Sequence, residues 1–255
     1  MVLSQCRCYG RGPVVEPKRL SDANGFVLGL ARLRVGIFVL ALLLGVHAAW
    51  TLAAELVRPP RPDFPAAGAH AAAAEHDLDR AVAAAKLAAI RGELWADAAI
   101  LQAGGVQDDI EAGRTGEAPA ALTDARAMAE RAARLSPHDS RLWLLIAAID
   151  ARLDWFDGRV GAPLKMSYYT APNDGALMGL RLLIATRSEA IADPDLQVLV
   201  SGEVRTIVRN RPDLKGAILA AHRAAPPQGR EFIEGTLRDF APDLLAATGA
   251  RGGRP

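Results

Sequence analysis

Apolar positions are unevenly spread along the chain, and their first concentration is also their longest. From Val35 to Ala54 the sequence reads VGIFVLALLLGVHAAWTLAA, with His47 as its only ionisable side chain. At about 1.5 Å per residue, a helix of this length covers the roughly 30 Å of a bilayer's hydrocarbon core. The pattern predicts a transmembrane helix over residues 35–54. His47 and Trp50 fall near its far end, where amphipathic rings sit at headgroup level. The absence of Asp, Glu, Lys and Arg from the run argues against a buried core helix. A cleaved signal peptide is the competing reading, because Val46, His47 and Ala48 loosely fit a small-residue cleavage site, although the run is longer than a usual signal core. Residues 1–34, with Gly10, Gly12, Pro13, Pro17 and scattered charges, show no sustained period and are expected to form a loose tail. Beyond the run, residues 55–68 contain RPPRPDFPAAG, from Arg58 to Gly68. Its prolines at 59, 60, 62 and 65 fix φ and remove backbone donors, so an extended spacer is expected, holding the rest of the chain off the membrane surface.

From residue 69 to 248 the apolar period becomes helical. Leu78, Val82, Leu87, Leu94, Ala98 and Leu101 recur at steps that place them on one face of a helix, or of two helices in sequence, with Gly104 and Gly105 as a stop. The polar stretch from Gln107 to Pro119 reads as a loop. A helix then opens at Ala120 or Thr123 and reaches Leu135, the turn SPHD comes next, and Arg141–Trp155 is apolar on one side through Leu142, Trp143, Ile146, Ile149 and Leu153. Further helices are expected over 193–209, 213–223 and 230–240, separated by Pro194, Pro212, Pro226 and Pro227, with a loose tail over 249–255.

Within this region AERAARLSPHDSRLWLLIA, Ala129 to Ala147, resembles the junction between tetratricopeptide (TPR) repeats. A small residue, Ala132, stands five before Pro137; the aromatic Trp143 stands six after it, followed by Ile146 and Ala147. A small residue lets two helices approach, the proline ends one helix, and the aromatic packs the next on its predecessor. Pro172 follows Pro137 at close to the repeat length, and APND again precedes an apolar helix with Leu177, Leu180, Leu182 and Leu183. The second unit departs from the pattern, with Met178 in the aromatic's place and Leu182-Leu183 for Ile146-Ala147. The resemblance covers residues 120–186 and implies an all-α fold: one N-terminal transmembrane helix followed by a TPR-like array of antiparallel helical hairpins. Such scaffolds bind peptides or proteins on a concave face.

Composition narrows the function classes. Hydrophobic residues make up 51% of the 255, enough for one packed domain and an anchor, and 30 Lys and Arg against 29 Asp and Glu leave a net charge of +1, which removes the electrostatic footprint of a nucleic-acid binder. Charge placement sets an orientation: Arg7, Arg11, Lys18, Arg19, Arg32 and Arg34 precede the apolar run. The positive-inside rule therefore puts the N-terminus in the cytoplasm and the helical domain in the periplasm, with the inner membrane as its location if the source is bacterial. Cys6 and Cys8 both precede the run, so the domain can form no internal disulfide, and a lone C-x-C is too few ligands for a closed zinc site.

No motif of catalysis stands out. His70, His76, His138 and His222 lack metal spacing and read as surface or turn residues, Asp108 and Asp109 lack the EF-hand pattern, and no P-loop, G-x-G-x-x-G or G-x-S-x-G occurs. Neither a metal nor a cofactor is expected. Glu75, His76, Asp77 and Asp79 suit a helix start. Trp95, Trp143, Trp155 and Phe156 are expected in the core. Tyr168, Tyr169 and Asn173 are the candidate partner-binding residues: the two tyrosines offer large rings with hydroxyl groups, while their alternative role is to wedge helices as Asn173 caps the next one.

The expected function is a membrane-anchored, non-catalytic scaffold with a protein or peptide partner and no evident small-molecule substrate, acting in a bacterial envelope assembly such as one for polysaccharide synthesis or export. Two alternatives stay open. One is an enzyme using dispersed acids such as Glu93, Asp97 and Asp150. The other is a structural subunit acting through its transmembrane helix, although Gly36 and Gly45 do not form G-x-x-x-G.

Overall fold

A computed structural model describes residues 19–64, 75–104, 106–111, 120–156 and 158–251, and these are all-helical, with no strand among them. The expected tail before residue 19, the cysteines, residues 65–68 of the expected spacer, His70, residues 112–119 and the tail from 252 lie outside the described residues. The chain divides into two units, one ending at Leu52 and one beginning at Ala53.

Helix α1 spans Arg19–Val57. It starts upstream of the expected 35–54, so residues 19–34, expected as part of a loose tail, are helical. No proline lies between 19 and 57, and a helix once nucleated propagates at little cost. The span Arg32–Val57 is long and apolar enough to cross a membrane, with a mean hydropathy of 2.2 over 18 of its residues. Its apolar side chains lie open, Phe38 at 71% and Leu43 at 62%, and His47 meets Trp50 edge-on at 6.0 Å.

The second unit begins with the last turn of α1 and continues through α2 (Glu75–Leu87), α3 (Gly92–Ala103), α4 (Val106–Glu111), α5 (Ala120–Leu135), α6 (Ser140–Leu153), α7 (Gly161–Thr170), α8 (Gly175–Arg187), α9 (Pro194–Asn210), α10 (Lys215–Ala224), α11 (Pro227–Phe240) and α12 (Pro242–Arg251). The chain breaks between α2 and α3, so the apolar period there belongs to two helices in sequence, and α3 stops at Gly104. Helix α4 occupies the start of the expected loop, because Val106 and Ile110, four apart, are both buried, Ile110 completely.

Two apolar clusters share one wall. The first, rich in alanine, joins Ala81, Ala84 and Ala85 of α2 and Ala88 just after it to Ala96 and Ala99 of α3 and Ala125, Ala129 and Ala132 of α5. Alanine costs no side-chain entropy in a helix and lets helices approach closely. The second, built of larger residues, joins Leu164 and Tyr168 of α7 to Leu177, Met178 and Leu182 of α8 and Val200, Val204 and Ile207 of α9. Helix α6 faces both: Leu142, Leu145 and Ile149 enter the first, Leu144, Ala148 and Ala151 the second. With apolar side chains on two faces, α6 packs between the two clusters.

Helix starts repeat a local device. In Pro137-His138-Asp139 and Pro172-Asn173-Asp174 the aspartate is the N-cap, accepting from Arg141 N at 3.0 Å and Ala176 N at 3.1 Å, and Asp193 does the same before Pro194. Asp174 therefore caps α8, in place of Asn173, because it is the residue with extended backbone one step before the first helical turn. A side chain six residues on closes the preceding turn: Trp95 donates to the Ala89 carbonyl at 3.1 Å, Trp143 to Pro137 at 2.8 Å and Gln197 to Ile191 at 2.9 Å. Trp95 and Trp155 are buried as expected and Trp143 is half-buried, but Phe156 is 68% exposed. Helix α6 has ended at Leu153, and the turn after it directs consecutive rings to opposite sides, Trp155 inward and Phe156 outward.

Candidate docking groove

Three consecutive helices enclose an open groove of about 640 Å³. Helix α5 supplies Arg126, Glu130 and Arg134, four apart and hence on one face, with Ala133 beside them; the turn supplies Pro137, α6 Trp143 and Ile146, and α7 Ala162, Pro163 and Met166. Arg159, just before α7, completes it. The lining is mostly apolar and carries three guanidinium groups against one carboxylate.

Local chemistry fixes these parts. The indole hydrogen bond to Pro137 holds the Trp143 ring along the groove wall. Arg126 is held by fully buried Asp150 through two bonds, Nε to Oδ1 at 2.6 Å and Nη2 to Oδ2 at 3.2 Å, and also by Glu130, one turn on. Hydrogen bonding to Asp150, more than any other cause, raises the Arg126 guanidinium above its ordinary value. Arg134 is exposed. Such a site suits a chain segment with apolar side chains and a carboxylate, since a guanidinium binds carboxylates through paired donors.

The three candidate residues separate. Tyr169 is 59% exposed and stands three residues beyond Met166 on α7, adjoining the groove's face of that helix. Asn173 is exposed in the next turn. Tyr168 turns inward, 2% exposed, and donates to Glu203 Oε2 of α9 at 2.6 Å.

That bond belongs to a buried polar network. Arg181 of α8, fully enclosed, lies 5.0 Å from the Tyr168 ring centre and donates from Nε to Ser167 Oγ at 2.9 Å, from Nη1 to the Ala171 carbonyl at 2.9 Å and from Nη2 to the Ser167 carbonyl. These two carbonyls end α7, so the guanidinium caps that helix. Ser167 in turn donates to the Ser140 carbonyl at 3.0 Å, which links α7 to the start of α6. Arg181 Nη1 stands 3.8 Å from Glu203 Oε1, an oxygen without a hydrogen-bond partner. Burial pushes the Glu203 carboxyl up to about 8, against the opposing pull of Tyr168 and Arg181, and pushes the Tyr168 hydroxyl well up as well. The network ties α6, α7, α8 and α9 together and so sets the α7 wall of the groove.

Glu93, Asp97 and Asp150 are each engaged by a different arginine. Arg91 holds Glu93 at 2.8 Å, Arg58 holds Asp97 at 2.8 Å and Arg126 holds Asp150, and none of the three acids lines the groove. Burial raises the Asp97 carboxyl, while Arg58 and Arg61 oppose that shift. His76 and His138 are exposed; His222, expected at the surface or in a turn, is half-buried on α10 and meets Glu234 of α11 at 2.8 Å. Among the described residues no three His, Cys, Asp or Glu side chains converge as a metal site would require. A smaller groove of about 310 Å³ lies between α9 and α11, where Arg205 covers the Phe240 ring at 5.3 Å.

Arg126, Arg134, Arg159 and Met166 line the groove without having been legible as site residues in the sequence. The four-residue spacing of Arg126, Glu130 and Arg134 is visible there as a charged helix face, but such a face is usually only solvated, and nothing local shows that α6 and α7 close a groove beside it. Comparison of the chain with protein-family models, curated proteins and solved structures returns no match.

Proposed function

We propose that this chain is a membrane-anchored, non-catalytic scaffold whose helical unit holds a segment of a protein partner in the groove between α5 and α7. The observation that carries the reading is the groove itself, lined by Trp143, Pro163 and Met166 together with the exposed guanidinium of Arg134. The chemistry selects a segment that brings leucine-like side chains to the apolar lining and a carboxylate to the guanidinium groups. Exposed Tyr169 extends the contact along α7, with Asn173 beyond it.

The array is TPR-like in this reading, its helices taken as antiparallel hairpins. Supporting it are buried Ala132, Ile146 and Ala147, the Trp143–Pro137 bond, and the second Pro-x-Asp cap at Asp174, 35 residues after Asp139 by the numbering. The anchor is the apolar part of α1. Its N-terminal side carries Arg32 and Arg34, which by the positive-inside rule places that side in the cytoplasm and the helical unit in the periplasm of a bacterial cell. An envelope assembly, of the kind that synthesises or exports polysaccharide, is the setting that fits an anchored periplasmic scaffold.

A photo-crosslinking residue at Met166 of the full chain tests the reading in membranes. One defined adduct is expected, its crosslinked segment mapping by mass spectrometry to a stretch with apolar and acidic residues. Trp143→Glu and Arg134→Glu should abolish that adduct, while Val198→Glu, at an exposed site on α9, should leave it. An adduct insensitive to Trp143→Glu and Arg134→Glu, or none at all, overturns the proposal.

A further inference from the structure

The described part of the expected spacer, residues 58–64, is seated on the helices of the second unit. Its start is fixed, because Arg80 of α2 donates to the Val57 carbonyl from Nε and to the Arg58 carbonyl from Nη2, each at 3.1 Å. Arg58 reaches Asp97 of α3, with Nε at 2.8 Å and Nη2 at 2.6 Å from the same oxygen, Oδ2. Pro59 is buried, and at the other end Phe64 packs against both apolar clusters, so its ring lies where they adjoin. Pro60, Arg61 and Asp63 between them are exposed. Prolines at 59, 60 and 62 favour an extended course of about 3.1 Å per residue, which gives this strap a reach of about 19 Å.

This seating has the form of a bound peptide. A proline-rich segment loses little conformational freedom on docking and brings few N–H donors, so its hold depends on the side chains that find a place: here a guanidinium on a buried carboxylate, a proline ring and a phenyl ring. The fit at Asp97 is only half made. Its side chain is 1% exposed, yet Oδ1 accepts no hydrogen bond from the described residues, and Arg61 Nε stands 3.9 Å from it. An arginine that presents paired N–H groups to both oxygens satisfies a carboxylate better than Arg58 does here. The site is built for an arginine, and the one that fills it leaves room for a better fit.

We propose that the surface from Asp97 to the junction of the two clusters is a recognition site for extended, proline-rich protein segments with an arginine at one end and an aromatic ring at the other. Residues 58–64 fill it in cis, and a partner segment of the same chemistry replaces them. A buried carboxylate abandoned by its cation is strongly unfavourable, so release of the strap is coupled to entry of the partner. Attachment keeps the strap at an effective concentration on the order of millimolar, which excludes weakly binding segments. Arg58, Phe64 and Asp97 do not line the groove between α5 and α7, so this site is separate from it and independent of what that groove binds.

A fluorescein-labelled peptide with the sequence of residues 57–64, VRPPRPDF, titrated with the full chain in detergent and followed by anisotropy, decides it. The peptide is expected to bind the Arg58→Ser, Phe64→Ser double variant about ten-fold more tightly than the wild type, whose own strap competes. Arg58→Ser or Phe64→Ser in the peptide should each remove that gain, as should Asp97→Asn added to the double variant. Equal binding to wild type and double variant, indifference to the arginine and phenylalanine of the peptide, or no binding to a double variant that still melts cooperatively overturns the proposal. A double variant that fails to fold overturns it as well, since the strap is then a fixed part of the core.

Discussion

Replacing Glu203 by glutamine tests the buried network beneath the groove through its pH dependence. The Glu203 carboxyl is raised from 4.5 to about 8 because burial disfavours its charge, so folding takes up a proton over that interval. Its contribution to stability is whole below about pH 4.5, declines as the pH rises because the unfolded chain gains by ionising while the folded one does not, and is gone above about pH 8. Between about pH 5 and pH 8 the linkage amounts to about 3 kcal/mol, since each pH unit in which the two states differ by one proton is worth about 1.4 kcal/mol. Glutamine keeps the size and the acceptor for the Tyr168 hydroxyl but cannot ionise. Urea unfolding of wild-type and Glu203→Gln chains in the same detergent, followed by tryptophan fluorescence, gives the difference in stability at each pH and cancels every other titrating group. That difference should fall against the wild type by about 3 kcal/mol across the interval. A flat difference, or one that moves in favour of the wild type with rising pH, would mean that Arg181, 3.8 Å away, holds the carboxylate ionised, and would refute the reasoning.

Two further substitutions probe packing. A Cβ on Gly229 would lie 1.8 Å from the backbone carbonyl oxygen of Thr186, so Gly229→Ala should force α11 off α8 and lower stability by about 1–3 kcal/mol, read as a lower melting temperature; an unchanged value counts against that close approach. Trp155→Ala should cost about 3–5 kcal/mol, whereas Phe156→Ser next to it should stay within about 0.5 kcal/mol, and equal losses in urea melts would show that the turn after α6 has been assigned to the wrong face.

The groove, the network and the last turn of α1 show one arrangement at three scales. Each joins groups far apart in sequence: Arg58 to Asp97, Arg126 to Asp150, Tyr168 to Glu203. In each a carboxylate that is almost wholly buried is met by an arginine or a tyrosine. Such pairs add modestly to net stability but are costly to break on one side, because the partner is left charged or unsatisfied in a poor solvent. They therefore specify which helices meet more than they strengthen the contact, and the α7 wall of the groove inherits that specification through Arg181 and Ser167.

Local chemistry determined the helices of this protein. The unbroken apolar run of α1, the proline and aspartate that open α6, α8 and α9, and the glycine that closes α3 act within a few residues of themselves, so they are legible in the order of amino acids. Misreadings fell where burial outweighed composition. The polar stretch after Gly105 holds a short helix because Ile110 is covered by other elements, and Phe156 faces solvent while Trp155 does not because α6 ends just before them. Tyr168 and Tyr169 differ by one residue and by about one hundred degrees around α7, which sends one to Glu203 and leaves the other beside the groove. Only tertiary structure could decide between those fates, because the partner that makes the inside of α7 favourable for a tyrosine, the carboxyl of Glu203, arrives from a helix 35 residues away.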